Sequence, residues 1–201
     1  MLPATERRNQ LVFLGRIAKE KGIDMLLDAW RELALEFPQW HLRIAGPLTS
    51  AHAADMQRLA STLDLPRCEF IGELRDAAKT AELAAARLFV LPSHTENFGI
   101  VVAEALAHGV PVVTTTGTPW TELEARGCGW RVAPERAALT AGLRAALLRT
   151  PSELASMGAA GRKWVTSVYR WDAVAERMLS TYEWLLAGER RKAPDWVDTG
   201  R

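Results

Sequence analysis

Apolar and polar positions follow two rhythms along this chain. Short runs rich in Val, Ile, Leu and Phe occur at residues 11–15, 42–45, 69–71, 88–91, 110–114 and 130–132. They lack strict in/out alternation, which predicts strands covered on both faces. Longer stretches of helical period lie between them. Ile23, Leu26, Leu27, Trp30, Leu33 and Phe37 stand at offsets 0, 3, 4, 7, 10 and 14, one face of an amphipathic helix. Further helices are predicted over 51–63, 77–86, 98–108, 137–148, 151–167 and 172–187. Strand, helix, strand, helix in this order predicts an α/β fold, an open parallel sheet of about six strands with right-handed crossovers. Ligands on such sheets bind beyond the carboxyl ends of the strands, so the chemistry is expected in the loops that follow them.

Composition narrows the class. A length of 201 residues predicts one domain, read here as residues 1–187, followed by a charged flexible tail over 188–201. Hydrophobic residues make up 48% and charged residues 24%, ordinary values for a soluble globular protein. A net charge of +1 gives no electrostatic footprint for nucleic acid. No apolar run reaches the ~18 residues of a membrane helix, so membrane association is expected to be peripheral at most. No signal peptide opens the chain, and the cytoplasm is the expected compartment. Cys68 and Cys128 lack CxxC spacing and read as reduced packing residues. The histidines form no metal-ligand spacing, and no G-x-G-x-x-G follows the first strand. No metal and no cofactor is assigned.

The most informative segment reads LFVLPSHTENFGIVVAEALAHGVPVVT, residues 88–114. A strand ends at Leu91, a polar loop follows, and a helix is expected to open near Phe98-Gly99 and close at Gly109. A helix start after a strand offers free amides and a positive dipole end, suited to phosphate. Gly99 permits close approach of a ligand to the backbone. Glu96 precedes this helix, and Glu104 lies on it in apolar company, roughly 7.5 Å along the axis from Gly99. A carboxylate there needs hydrogen-bond partners. A ribose diol would supply two; pairing with His108 at i+4, or pointing to solvent, are the alternatives.

Ser93, Glu96, Phe98, Gly99, Glu104, Ala105, Gly109, Pro111 and Val112 match S-x-x-E-x-F-G-x-x-x-x-E-A-x-x-x-G-x-P-V. This resembles the signature of family-4 retaining glycosyltransferases, with their E-x7-E spacing. The resemblance implies the Rossmann-like carboxyl-terminal half of a GT-B fold, helices on both faces of the sheet, and a nucleotide sugar as substrate. By resemblance, Glu96 contacts hydroxyls of the donor sugar and Glu104 holds the ribose. The amides of Phe98, Gly99, Ile100 and Val101 would receive the diphosphate or the sugar.

Arg16 follows the first strand, and Lys21 stands five residues later. Together they could neutralise a diphosphate and charge developing on it as it departs; taken alone, they read better as solvated surface residues beside Lys19 and Glu20. The string G-R-x-x-x-x-K-G is similar to the same family's diphosphate motif, which assigns Arg16 and Lys21 a catalytic role beside Glu96. The resemblance implies that Leu74 contacts the nucleobase through its backbone; packing is the alternative. Lys79 is expected on a helix surface, His94 in solvent, and Trp120 in core or rim packing.

The resemblance spans residues 10–187 but only the carboxyl-terminal domain of the family. It implies a glycan or glycolipid acceptor held by a missing or separate acceptor domain, in surface-polysaccharide synthesis or a similar setting. The last helix is then expected to expose an apolar side. An isolated chain of this kind is expected to bind nucleotide and turn over slowly or not at all. A non-catalytic nucleotide-sugar-binding module is the competing reading; a nucleotide-sugar epimerase fits the signature less well.

Overall fold

The computed structural model describes residues 6–187 and 192–197. By internal contacts the chain divides into two units, with the boundary after Arg162. The first unit contains six strands: β1 (Arg8–Leu14), β2 (His41–Ala45), β3 (Cys68–Gly72), β4 (Ala86–Leu91), β5 (Val112–Thr115) and β6 (Gly129–Val132). Between and after them run α1 (Ile23–Glu36), α2 (Ala51–Thr62), α3 (Asp76–Ala85), α4 (Ile100–Ala107) and α5 (Arg136–Leu147). Helix α6 (Pro151–Val168) crosses the boundary, and α7 (Trp171–Ala187) lies in the second unit.

Every strand pairing is parallel, in the order β3-β2-β1-β4-β5-β6. The central strands read as unbroken apolar runs because helices cover both faces. Leu11, Val12 and Phe13 of β1 and Leu88 to Leu91 of β4 are fully buried. Edge strand β3 has no buried residue. Helix α1 turns Ile23, Leu26, Leu27, Trp30 and Leu33 inward, as the periodicity predicts. Phe37 caps its carboxyl end rather than continuing it, yet stays buried. Arg144 of α5 grips Glu36 at the end of α1 through two hydrogen bonds of 2.7 and 2.8 Å, which ties those helices side by side.

The chain reverses its direction of travel across the sheet between β1 and β4, which are neighbours although two strands intervene in sequence. At such a switch point the two following loops diverge and leave a crevice at the carboxyl edge. The loops after β1 and β4 carry Arg16 and Lys21 in one case and Glu96 in the other. Fold topology therefore brings together residues 75 positions apart, Lys21 and Glu96.

The predicted strands and helices are all present, with ends shifted by one or two residues at most sites. The shift that bears on the site is at α4, which starts at Ile100, not at Phe98-Gly99. Gly99 has φ 71°, a left-handed conformation that cannot belong to the helix and is readily adopted by glycine. The tail expected over 188–201 falls mostly outside the described residues. Within the second unit, α7 has no buried residue, and Trp171 and Leu186 are its most exposed apolar side chains.

Candidate functional site

The loop after β4, residues 92–99, is held on two sides. On the β1 side, the His94 amide donates to the Glu20 carbonyl at 2.8 Å. Gly22 lies so close that a Cβ there would sit 2.4 Å from the Pro92 carbonyl oxygen. On the β5 side, the Thr115 hydroxyl donates to the Ser93 carbonyl, and Thr114 donates to that of Leu91 at 2.8 Å. A Cβ on Gly117 would stand 2.2 Å from the His94 carbonyl oxygen. Two flanking loops thus grip this segment at van der Waals contact, and both use glycine where backbone meets backbone.

Within this grip, Lys21 Nζ donates to Glu96 Oε2; the two side chains are only 13% and 16% exposed. A carboxylate this sheltered is stable only with a cation or several donors beside it. Arg16 behaves differently. Its side chain is 74% exposed and reaches back to Glu20 at 3.0 Å, a surface pair that water and salt weaken. The guanidinium can therefore exchange Glu20 for another anion at small cost.

Glu104 projects from α4 and receives Lys79 Nζ of α3 on Oε1 at 2.6 Å. Its other oxygen, Oε2, is buried without a hydrogen-bond partner, as is Ser93 Oγ. His108 does not pair with the Glu104 carboxylate: its Nδ1 lies 2.8 Å from the Glu104 backbone carbonyl oxygen, a contact local to the helix. Lys79 differs from its expected status as a helix-surface lysine. Its ammonium reaches from α3 to a carboxylate on α4, 25 residues away. His94 is exposed, as expected.

The opening at this edge of the sheet is a cleft of about 220 Å³. Leu14, Gly15, Arg16, Leu74, Lys79 and Val101 line it, with Ala45 and Gly46 at the end of β2. Of the residues singled out in the sequence, Arg16, Leu74 and Val101 thus share one wall system. Glu96, Phe98, Gly99 and Ile100 belong to the adjoining 92–99 loop and the mouth of α4. Phe98 and Ile100 are 39% and 65% exposed. No side chain caps the amides that open α4, so they face outward with the helix dipole behind them.

Trp120, expected as packing, does more. Its indole Nε1 donates to the Phe98 carbonyl at 2.6 Å, and its ring stands 5.3 Å from that of Phe98, tilted by 48°. The sequence carries no spacing signal for this contact, which joins the β5 loop to the α4 mouth. The two cysteines are free thiols, and burial pushes Cys68 up to about 12 and Cys128 up to about 11. Among the described residues no group of three His, Cys, Asp or Glu is placed to hold a metal ion. No helix there is long and apolar enough to cross a membrane.

The sequence model of the family described as glycosyl transferases group 1 matches residues 2–164, which include the whole of this site. The chain belongs to this family. Among its relatives, a glycogen synthase of Mycobacterium tuberculosis is 33% identical over 187 residues, covering 92% of this chain and 45% of that protein. The chain thus spans about half the length of the curated relatives it matches. A solved sucrose-phosphate synthase from Thermosynechococcus elongatus superimposes with a TM-score of 0.76 at 28% identity, over 92% of this chain and 47% of that one. The carboxyl-terminal domain of a group 1 glycosyl transferase (LpcC) from Francisella tularensis has the same fold. It superimposes with a TM-score of 0.70 at 22% identity, over 83% of this chain and 89% of that domain. Family membership thus rests on sequence, and the six-stranded sheet is that of GT-B carboxyl-terminal domains.

Proposed function

We propose that this chain is the donor-binding domain of a retaining glycosyltransferase, which moves a sugar from a nucleotide-diphosphate sugar to a glycan or glycolipid acceptor. The observation that carries this reading is the pair of carboxylates at the switch point, Glu96 and Glu104. Each is held by a lysine from a different neighbouring element. The buried Oε2 of Glu104 has no hydrogen-bond partner and is the acceptor offered to a ribose hydroxyl, while Lys79 orients the carboxylate through its other oxygen. Beside it, the cleft lined by Leu74 and Gly15 takes the base.

The diphosphate then lies across the mouth of α4. Amides of Phe98, Gly99, Ile100 and Val101, Lys21 and a swung Arg16 surround it with positive charge. As the bond from the anomeric carbon to the phosphate oxygen breaks, the electron pair leaves with the diphosphate. Those positive groups stabilise it at that moment without needing a metal ion. Glu96, anchored by Lys21, accepts hydrogen bonds from the sugar. The acceptor's attacking oxygen comes from a second domain, so the 201-residue chain alone binds donor and transfers slowly or not at all.

The test is the melting temperature of the chain with UDP, GDP and ADP in turn. One of them should raise it through preferential binding to the folded state, and Glu104→Ala should abolish the rise. No shift with any nucleotide, or a shift that survives Glu104→Ala, removes the assignment.

A further inference from the structure

The β5 loop contributes no charged group to the cleft, yet it touches the donor loop along its whole length. Thr114 and Thr115 hold the carbonyls of Leu91 and Ser93, Gly117 packs on that of His94, and Trp120 holds that of Phe98. The last contact differs from the others. Trp120 is 3% exposed, so its indole N–H has little access to water and is directed at one acceptor, while its ring tilts against Phe98. The Phe98 carbonyl belongs to the peptide whose N–H is that of Gly99. Fixing the oxygen fixes the direction of that amide, since the peptide unit is planar. Gly99 itself sits in the left-handed region, and the next peptide is fixed separately, since the Gly99 carbonyl accepts from the Val102 amide at 2.8 Å.

We infer that Trp120 is a positioning residue. Through the Phe98 carbonyl it sets the Gly99 amide toward the diphosphate, beside the Ile100 amide that the Gly99–Val102 bond fixes, and it takes no part in holding the nucleoside. This rests on the donor-binding reading above, and it adds a division of labour within the site. The β5 loop governs the phosphate end. The end lined by Leu74 and Lys79, with Glu104 held by Lys79, is independent of it.

The test compares the full chain with Trp120→Phe, which keeps a ring beside Phe98 and removes the N–H donor. Binding of UDP, GDP and ADP and of the matching monophosphates UMP, GMP and AMP is measured by calorimetry. The nucleoside diphosphate that binds should weaken by about tenfold in the variant, the size expected when a sheltered carbonyl loses its donor. Its monophosphate should change by less than about twofold. In the wild-type chain, the indole N–H resonance that Trp120→Phe deletes should move when the diphosphate is added and hold still with the monophosphate. Equal weakening of both ligands, or no weakening of either, overturns the inference, and so does an indole resonance blind to the diphosphate. If the wild-type chain binds none of the six nucleotides, the donor-binding reading itself falls. If Trp120→Phe does not fold, the indole resonance of the wild-type chain, assigned through its contacts to Phe98, carries the test alone.

Discussion

The two sides of the cleft are built differently. The side formed by β4, α4 and β5 is closed in: Leu88 to Leu91 are fully buried, and four successive contacts fix the 92–99 loop from behind. The side formed by the loop after β1 and by edge strand β3 is open. Strand β3 has no buried residue, Gly72 at its end has nothing within 4 Å of a would-be Cβ, and Arg16 is held only by an exposed glutamate. Groups that must meet developing charge benefit from being fixed before the reaction. Groups that read a base or follow a mobile phosphate can tolerate freedom. Under the proposed donor-binding reading, the contrast predicts that the groups meeting the departing diphosphate sit on the rigid side and that the base is read on the open one.

The largest expected effect breaks the rigid side. Gly117→Ala forces a Cβ against the His94 carbonyl, and backbone on both sides must shift. Urea unfolding should show a loss of about 3 kcal/mol. The matching change on the open side, Gly72→Ala, meets no neighbour. It should cost only about 1 kcal/mol, from the left-handed φ of 78°. Similar losses at both positions would erase the contrast.

Next comes the sheltered ion pair. Lys21→Met leaves the Glu96 carboxylate mostly enclosed without its cation, and should cost about 2 kcal/mol of stability in the same assay. Restoring balance with Lys21→Met plus Glu96→Gln should recover most of that stability, while nucleoside diphosphate affinity stays low. A smaller structural effect follows at Glu104, whose pair with Lys79 is about one-third exposed. Glu104→Ala should change stability by less than about 1 kcal/mol yet remove most of the nucleotide-induced rise in melting temperature. Smallest is Arg16→Ala, which should leave stability within about 0.5 kcal/mol. Affinity for the diphosphate should fall, and its salt dependence should become shallower.

The framework was legible in the sequence because it is written locally. Runs such as Leu88–Leu91 and the face Ile23, Leu26, Leu27, Trp30 declare strand and helix through burial alone. The positions of Arg16, Lys21 and Glu96 were also legible, since a parallel sheet places its loops at one edge. What escaped depends on distance across the fold. Lys79 looked like any helix lysine because its partner Glu104, 25 residues on, becomes a neighbour only in the folded chain. Trp120 gave no sign that its N–H would reach Phe98, 22 residues earlier. The two-residue displacement of the start of α4 came from Gly99, whose left-handed conformation ends one segment and begins another. A glycine at that place in the sequence suggests freedom but not which way it is used.

The most direct measurement is two-dimensional amide NMR of the chain titrated with the nucleoside diphosphate that stabilises it best. Perturbations should concentrate at Gly15, Arg16, Leu74, Glu96 and Phe98 to Val101. The amides around Trp40, Arg87 and Leu148, at the opposite edge of the sheet, should stay unchanged. Perturbations centred on that opposite edge, with the Phe98–Val101 amides silent, would contradict the assignment of this cleft as the donor site.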